Sequence, residues 1–333
     1  MKIFITGIAG FLGSHLADRM ILLGHTVVGN DTLIGGYVHN IPQGADFFNI
    51  DCCDIELMSA AMKGSDIVIH TAATAHEGLS VFSPSFITRN IYEASISTIS
   101  AAIQSNVKRF VFCSSMARYG NQPGPFTEAM QPKGIDPYGI AKVAVEDTLK
   151  VLSDTHGMEW NIAVPHNIVG PRQRYDDPFR NVMSIMINRN LQGKPSIIYG
   201  DGLQTRCFSY VDDCIQCLEK LALDPAIVYE TINIGPDEDT VTIKEMSKLV
   251  AEECGMSLSP IYMPDRPCEV KHAICSSAKA RYLLDYKTTT DLRTAIKYTV
   301  EYIRTHGTKE FDYGFPLEII NEKTPKTWSQ QLI

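Results

Sequence analysis

A tyrosine and a lysine four residues apart, Tyr138-Gly-Ile-Ala-Lys142, are the residues of this chain whose types and spacing bear most directly on chemistry. On a helix this spacing stacks the two side chains on one face. A phenol with a solution pKa of about 10 is a poor base at neutral pH. A cation beside it stabilises the phenolate and lowers that value. Such a pair can take a proton from a hydroxyl while hydride leaves the carbon that bears it. Ser115, which ends the apolar run Phe110-Val-Phe-Cys-Ser-Ser115, offers a hydroxyl partner. A serine at the C-terminal end of a strand faces the crevice in which doubly wound sheets bind ligands. Its alternative role is to cap the turn that follows.

Hydride needs an acceptor, and the start of the chain is built to hold one. Gly7-Ile-Ala-Gly10-Phe-Leu-Gly13 follows an apolar strand and opens a helix. Glycine permits a tight turn and close approach of backbone to a pyrophosphate, and the helix start around Phe11 and Leu12 supplies free N–H groups. Asp31 lies 18 residues after Gly13, at the end of the second strand, where an acid can bind both adenosine ribose hydroxyls. An acid there repels the extra phosphate of NADP, so the expected cofactor is NAD, whose cationic nicotinamide would join Lys142 in stabilising the phenolate. A turn residue before Thr32 is the other reading of Asp31. Asp51, after a further short strand, is expected to place the Cys52 backbone near the adenine.

A parallel sheet with helices on both faces has to hold these groups, and the first half of the chain alternates strand-like and helix-like segments accordingly. Strands are expected at 2–6, 26–31, 47–50, 66–70, 110–114 and 160–165, and helices at 11–23, 86–105 and 138–155. After residue 170 glycine and proline become frequent, and short strands mix with helices near 243–253 and 292–303. The expected organisation is α/β. Residues 1–170 form a Rossmann-type doubly wound parallel sheet that also receives part of the later chain. Residues 171–310 form a smaller mixed α/β lobe, and 311–333, which show no clear period, an extended arm.

Composition narrows the function classes. The chain has 333 residues, 44% hydrophobic and 20% charged, as in an ordinary globular protein. It has no run of about 18 apolar residues and no basic, apolar and small-residue pattern of a secretory signal, so a cytoplasmic location with no membrane partner is expected. A net charge of −8 argues against a nucleic-acid partner. The nine cysteines read as free thiols. Cys214 and Cys217, three apart on a helix, read as small core residues, and no metal is expected.

Taken in order, these landmarks resemble the extended short-chain dehydrogenase/reductases, specifically their NAD-dependent nucleotide-sugar epimerase/dehydratase family. The matching stretches over residues 1–305 are TGIAGFLG, Asp31, HTAA, Asn90, SSMARYG, YGIAK, NIVGPRQ, IYGDGLQTR, YVDD and RPCEV. The resemblance implies NAD in the first domain with Ala72 beside it, a nucleoside-diphosphate sugar in the second lobe, and a homodimer. It further implies Asn167, Arg206 and Arg266 on the diphosphate, Tyr199 beside the nucleobase and Glu269 on the nucleotide ribose. Residues 171–179 resemble a loop that uronate 4-epimerases place near the sugar, which makes Arg174 or Arg180 a candidate for a sugar carboxylate.

Within that resemblance, sugar 4,6-dehydratases typically read Thr-Asp-Glu at the catalytic hydroxyl residue, and related decarboxylases carry a glutamate two residues after it. Here the run is Ser115-Met116-Ala117. The implied reaction is 4-epimerisation of a UDP-hexose, UDP-N-acetylhexosamine or UDP-uronate through a transient 4-keto sugar. The alternatives are a nucleotide-sugar dehydrogenase or reductase with net redox change, and a non-catalytic NAD sensor. Ala273 stands where some hexose epimerases carry a bulky tyrosine, which leaves room for an N-acetyl group. His76, Glu77 and Ser80 lie on an expected substrate loop, with plain loop solvation as the alternative. His166 is expected to be a buried, satisfied histidine.

Overall fold

Alternation in the first strand sets the layering of the molecule. Ile3 and Ile5 enter one core layer and Phe4 the other, as the two-residue period of a strand requires. The same division holds for Ile67 and Ile69 against Val68, and for Val111 against Phe110 and Phe112. Each such side chain, fully removed from water, contributes about 1.5–3 kcal/mol. The computed structural model describes residues 1–333 with the exception of Leu258.

Seven strands form one sheet in the order Glu230–Ile234, Glu159–Pro165, Arg109–Cys113, Ile67–His70, Lys2–Thr6, Thr26–Asn30 and Asp46–Phe48. Every neighbouring pair is parallel. The chain winds outward from Lys2–Thr6 in one direction, then returns to start the other half at Ile67–His70. A crevice therefore opens between those two strands at their C-terminal ends, the place where such sheets bind ligands.

The helix that carries the tyrosine–lysine pair runs from Pro137 to His156. Asp136 caps it by accepting from the Gly139 amide at 2.8 Å, Pro137 fills its first turn, and Gly157 ends it in the left-handed conformation. The helix expected over 86–105 is continuous in space but not in winding. Pro84–Thr88 and Ala94–Gln104 flank a wider π turn at Arg89–Glu93, a local insertion common at functional sites.

Elements that the sequence pattern does not announce include the helices Ile55–Met62, Val182–Leu191 and Ala278–Leu284 and the strand Glu230–Ile234. That strand carries the sheet's seventh position, and helix Val211–Leu223 packs with it in the same core layer. Outside the main sheet short strands pair, with Thr205–Arg206 between Val241–Thr242 and His272–Ala273, and Ile197–Tyr199 beside Ile261–Met263. Cys214 and Cys217 are buried in the main core. The segment 311–333 has one short helix, Lys326–Ser329, and is anchored by the buried Phe315 and Trp328. No helix among the described residues is long and apolar enough to cross a membrane.

Candidate active site

The glycine loop lies at the crevice. A Cβ on Gly13 would overlap the carbonyl oxygen of Gly7, and one on Gly7 would come 2.9 Å from Ala72 Cα. The loop is thus packed against the ends of both central strands with no room for a side chain at Gly7 or Gly13. Helix Phe11–Leu22 begins with no side-chain cap and no acid in its first turn. Its free amides therefore suit an anion from outside the chain. Asp31 accepts from the Ala9 amide at 3.0 Å and from the Leu33 amide at 2.7 Å. Burial raises its carboxyl, and these amides work against that rise.

Gly7, Gly10, Gly13 and Asp31 line a cavity of about 320 Å³, together with Phe11, Leu12, Asp51, Cys52 and Ala72. Burial disfavours the Asp51 carboxylate, but the Cys53 amide and Arg89 outweigh it and lower its pKa. Gly13→Ala is expected to destabilise the protein by about 1–3 kcal/mol, the cost of forcing atoms into a filled space. Urea unfolding and the NAD content of the purified variant would check this. An unchanged urea midpoint would contradict the packing described.

Ser115, Tyr138 and Lys142 line the same cavity beyond the loop. Lys142 Nζ donates to the Cys113 carbonyl at 2.7 Å and sits 4.7 Å from the Phe112 ring centroid. It is 5.9 Å from the centroid of the Tyr138 ring. Burial pushes the Lys142 ammonium down to about 8. The expectation that the lysine draws the phenol pKa down is not met by protein groups. Burial raises the Tyr138 phenol, opposed by the Ser115 hydroxyl and the Arg180 cation. Ser115 also accepts from the Ala117 amide at 3.2 Å, so it caps the following turn as well as facing the tyrosine.

A second cavity, of about 310 Å³, joins the first. Ser115, Asn167, Glu77 and Arg180 line both. Tyr199, Arg206, Arg266, Glu269 and Ala273 line the second. Arg206 donates to the carbonyls of Thr205, Lys271 and Val270 at 2.8, 3.1 and 2.6 Å. These carbonyls fix its guanidinium without neutralising it, and an anion can still be drawn to it. Arg266 stacks over Tyr199 at 4.5 Å and pairs with Glu269 at 3.0 Å. The two residues expected on diphosphate and ribose thus meet each other.

Not every candidate falls where the sequence reading put it. Arg174 lines the first cavity and not the second, and Asp176 and Asp312 hold its guanidinium at 2.9 and 2.7 Å. Two carboxylates already satisfy it, so Arg180 is the arginine that faces the junction. His76 and Ser80 are buried rather than solvated. His76 Nε2 meets the Asp177 carboxylate at 2.6 Å, and Ser80 Oγ donates to the Glu77 carbonyl at 2.6 Å. His166 is buried, with Nε2 2.9 Å from the Pro236 carbonyl, but its Nδ1 has no partner among the described residues, so only half of it is satisfied. Asp177, Asn181 and Phe315 also line the first cavity. The run YDDPF marked the first of these only as part of a loop, and Phe315 lies in a stretch without pattern.

Residues 3–235 match the model of the NAD dependent epimerase/dehydratase family, and the chain belongs to that family of enzymes. A putative UDP-glucose 4-epimerase of Methanocaldococcus jannaschii is 31% identical, over 92% of this chain and 99% of its own. The UDP-glucose 4-epimerase of Thermotoga maritima, solved with UDP-glucose, superposes with a TM-score of 0.86 at 32% identity, covering 92% of this chain and 99% of that one. The UDP-glucuronic acid 4-epimerase of Bacillus cereus, solved with UDP-glucuronic acid and NAD, gives 0.85 at 28% identity, with 92% and 100% covered.

Proposed function

We propose that this protein is an NAD-dependent UDP-sugar 4-epimerase. The observation that carries the reading is the meeting of two cavities at Ser115, with Tyr138 and Lys142 on the dinucleotide side and Arg206 and Arg266 on the other. The uncapped helix start, the crowded glycines and Asp31 fit the pyrophosphate and ribose of NAD. When bound, NAD supplies the hydride acceptor and, in its reduced form, the donor. Tyr138 takes the proton of the C4 hydroxyl, and Ser115 hydrogen-bonds the same oxygen. Lys142, fixed on the Cys113 carbonyl, keeps a positive charge beside the phenol ring. Arg206 and Arg266 hold the diphosphate while the 4-keto sugar turns in the junction. Tyr138 then gives its proton back to the C4 oxygen of the sugar, which now presents its opposite face, and with the hydride restored to C4 no net redox change results.

Carboxylates that elimination would use are missing at Met116 and Ala117. Glu77 does reach the junction, but from a separate loop. Among sugars, a uronate is favoured by Arg180, which faces the junction without a carboxylate partner among the described residues. Incubation with UDP-glucose, UDP-N-acetylglucosamine and UDP-glucuronate, with no added NAD, should yield C4 epimers by proton NMR, with the highest kcat/KM for the uronate. Stoichiometric NADH formation would overturn the epimerase reading. If cationic Lys142 is required, kcat falls as pH rises through about 8, where burial has brought that ammonium. Lys142→Met should remove this limb of the profile along with most of the activity.

A further inference from the structure

The segment 311–333 lies beyond the resemblance that spans 1–305, and relatives matched over 99% of their own length cover 92% of this chain. Yet it returns to the site. Phe315 forms part of the wall of the first cavity and Ile333 part of the second. On the way the segment fastens two loops, 76–86 and 174–180, which carry Glu77 and Arg180 to the junction.

The fastening is both apolar and polar. Leu79 and Phe82 from one loop, Phe179 from the other, and Phe315 and Trp328 from the segment make one buried cluster. Trp328 lies 5.3 Å from the Phe179 ring and 6.1 Å from that of Phe82, and a Cβ on Gly78 would come within 3.2 Å of its indole. The Phe82 carbonyl accepts from the Glu318 and Ile319 amides at 3.0 and 2.9 Å. The Glu318 carboxylate accepts from the Ser85 and Phe86 amides at 2.9 and 2.7 Å. Asp312 holds Arg174, and the Thr327 hydroxyl meets that of Tyr199 at 2.6 Å.

We propose that residues 312–333 are a working part of the substrate site, a clamp that pins both junction loops and completes the wall around the sugar. The inference rests on the epimerase reading for the identity of the substrate. Without the clamp, Leu79, Phe82 and Phe179 lose their apolar cover, and the loops must be ordered by the substrate as it binds. That cost falls on affinity rather than on the proton and hydride steps.

The test compares the full chain, a variant ending at Phe311, and full-length Trp328→Ala, which guards against a shortened chain that fails to fold. Hydrogen exchange of the amides in 76–86 and 174–180 should quicken at least tenfold in the shortened variant and about threefold in Trp328→Ala, with residues 7–14 unchanged. With UDP-glucose, KM should rise at least tenfold in the shortened variant, while kcat changes far less. Unchanged loop exchange, or a KM equal to that of the full chain, overturns the clamp. If the full chain does not turn over UDP-sugars at all, the epimerase reading fails, and the exchange measurement still decides the clamp.

Discussion

Tyr138→Phe is expected to lower kcat by about 10²–10⁴-fold, the range that a positioned acid–base group supplies, and to leave the fold and the NAD content unchanged. The phenol ring is 5% exposed and packs with Ile87, Ile91, Ala117 and Ala141. Phenylalanine keeps that ring in place, so the substitution removes one hydroxyl and little else. Neither other catalytic candidate stands ready to replace it, since Lys142 Nζ is engaged with the Cys113 carbonyl and the Ser115 hydroxyl lacks a base of its own. Single-turnover absorbance of bound NADH, read beside a urea titration, separates loss of chemistry from loss of structure. Turnover within tenfold of the parent would exclude Tyr138 as the proton carrier.

The second large effect is on stability and comes from Arg118. Its guanidinium makes two bonds to the Glu146 carboxylate, at 3.0 and 2.8 Å, and both side chains are nearly sealed from water. The Ser114 hydroxyl also donates to Glu146, and Arg118 reaches the Tyr119 hydroxyl, which in turn donates to Asn233. The cluster ties the exit of strand Arg109–Cys113, the helix of Tyr138 and the strand Glu230–Ile234 together. Arg118→Met leaves a carboxylate buried without its partner, which costs about 3–5 kcal/mol. Adding Glu146→Leu should recover much of that loss, because the uncompensated charge goes with it. Equilibrium urea unfolding of the two variants checks both statements. A loss below about 1 kcal/mol for the single variant would mean that water reaches the pair.

What could be read from the sequence was local. The glycine turn, Ser115 at a strand end and the Tyr138–Lys142 spacing each depend on a few consecutive residues whose geometry is set by one element, and the structure assembles them in one cavity. The sheet was legible for the same reason wherever its strands were continuous apolar runs. Glu230–Ile234 escaped because polar residues alternate within it, and the helix at 86–105 hid a π turn that no apolar spacing announces. The junction was the hardest part. Arg180 and Glu77 converge there from distant segments, Phe315 joins them only at the wall of the first cavity, and only the fold brings them together. Arg174 shows the converse, since the same loop offered two arginines, and the partners that occupy one of them, Asp176 and Asp312, include a residue 138 positions away.

The strand Glu230–Ile234 has a consequence for anyone recombining this protein with its relatives. The chain leaves the main sheet after Pro165, builds much of the second cavity, and comes back to complete the sheet before departing again. A chimaera joined at one crossover would therefore inherit a foreign edge strand along with the foreign specificity. Two junctions, one on each side of that return, are the smallest exchange that keeps the parental sheet whole.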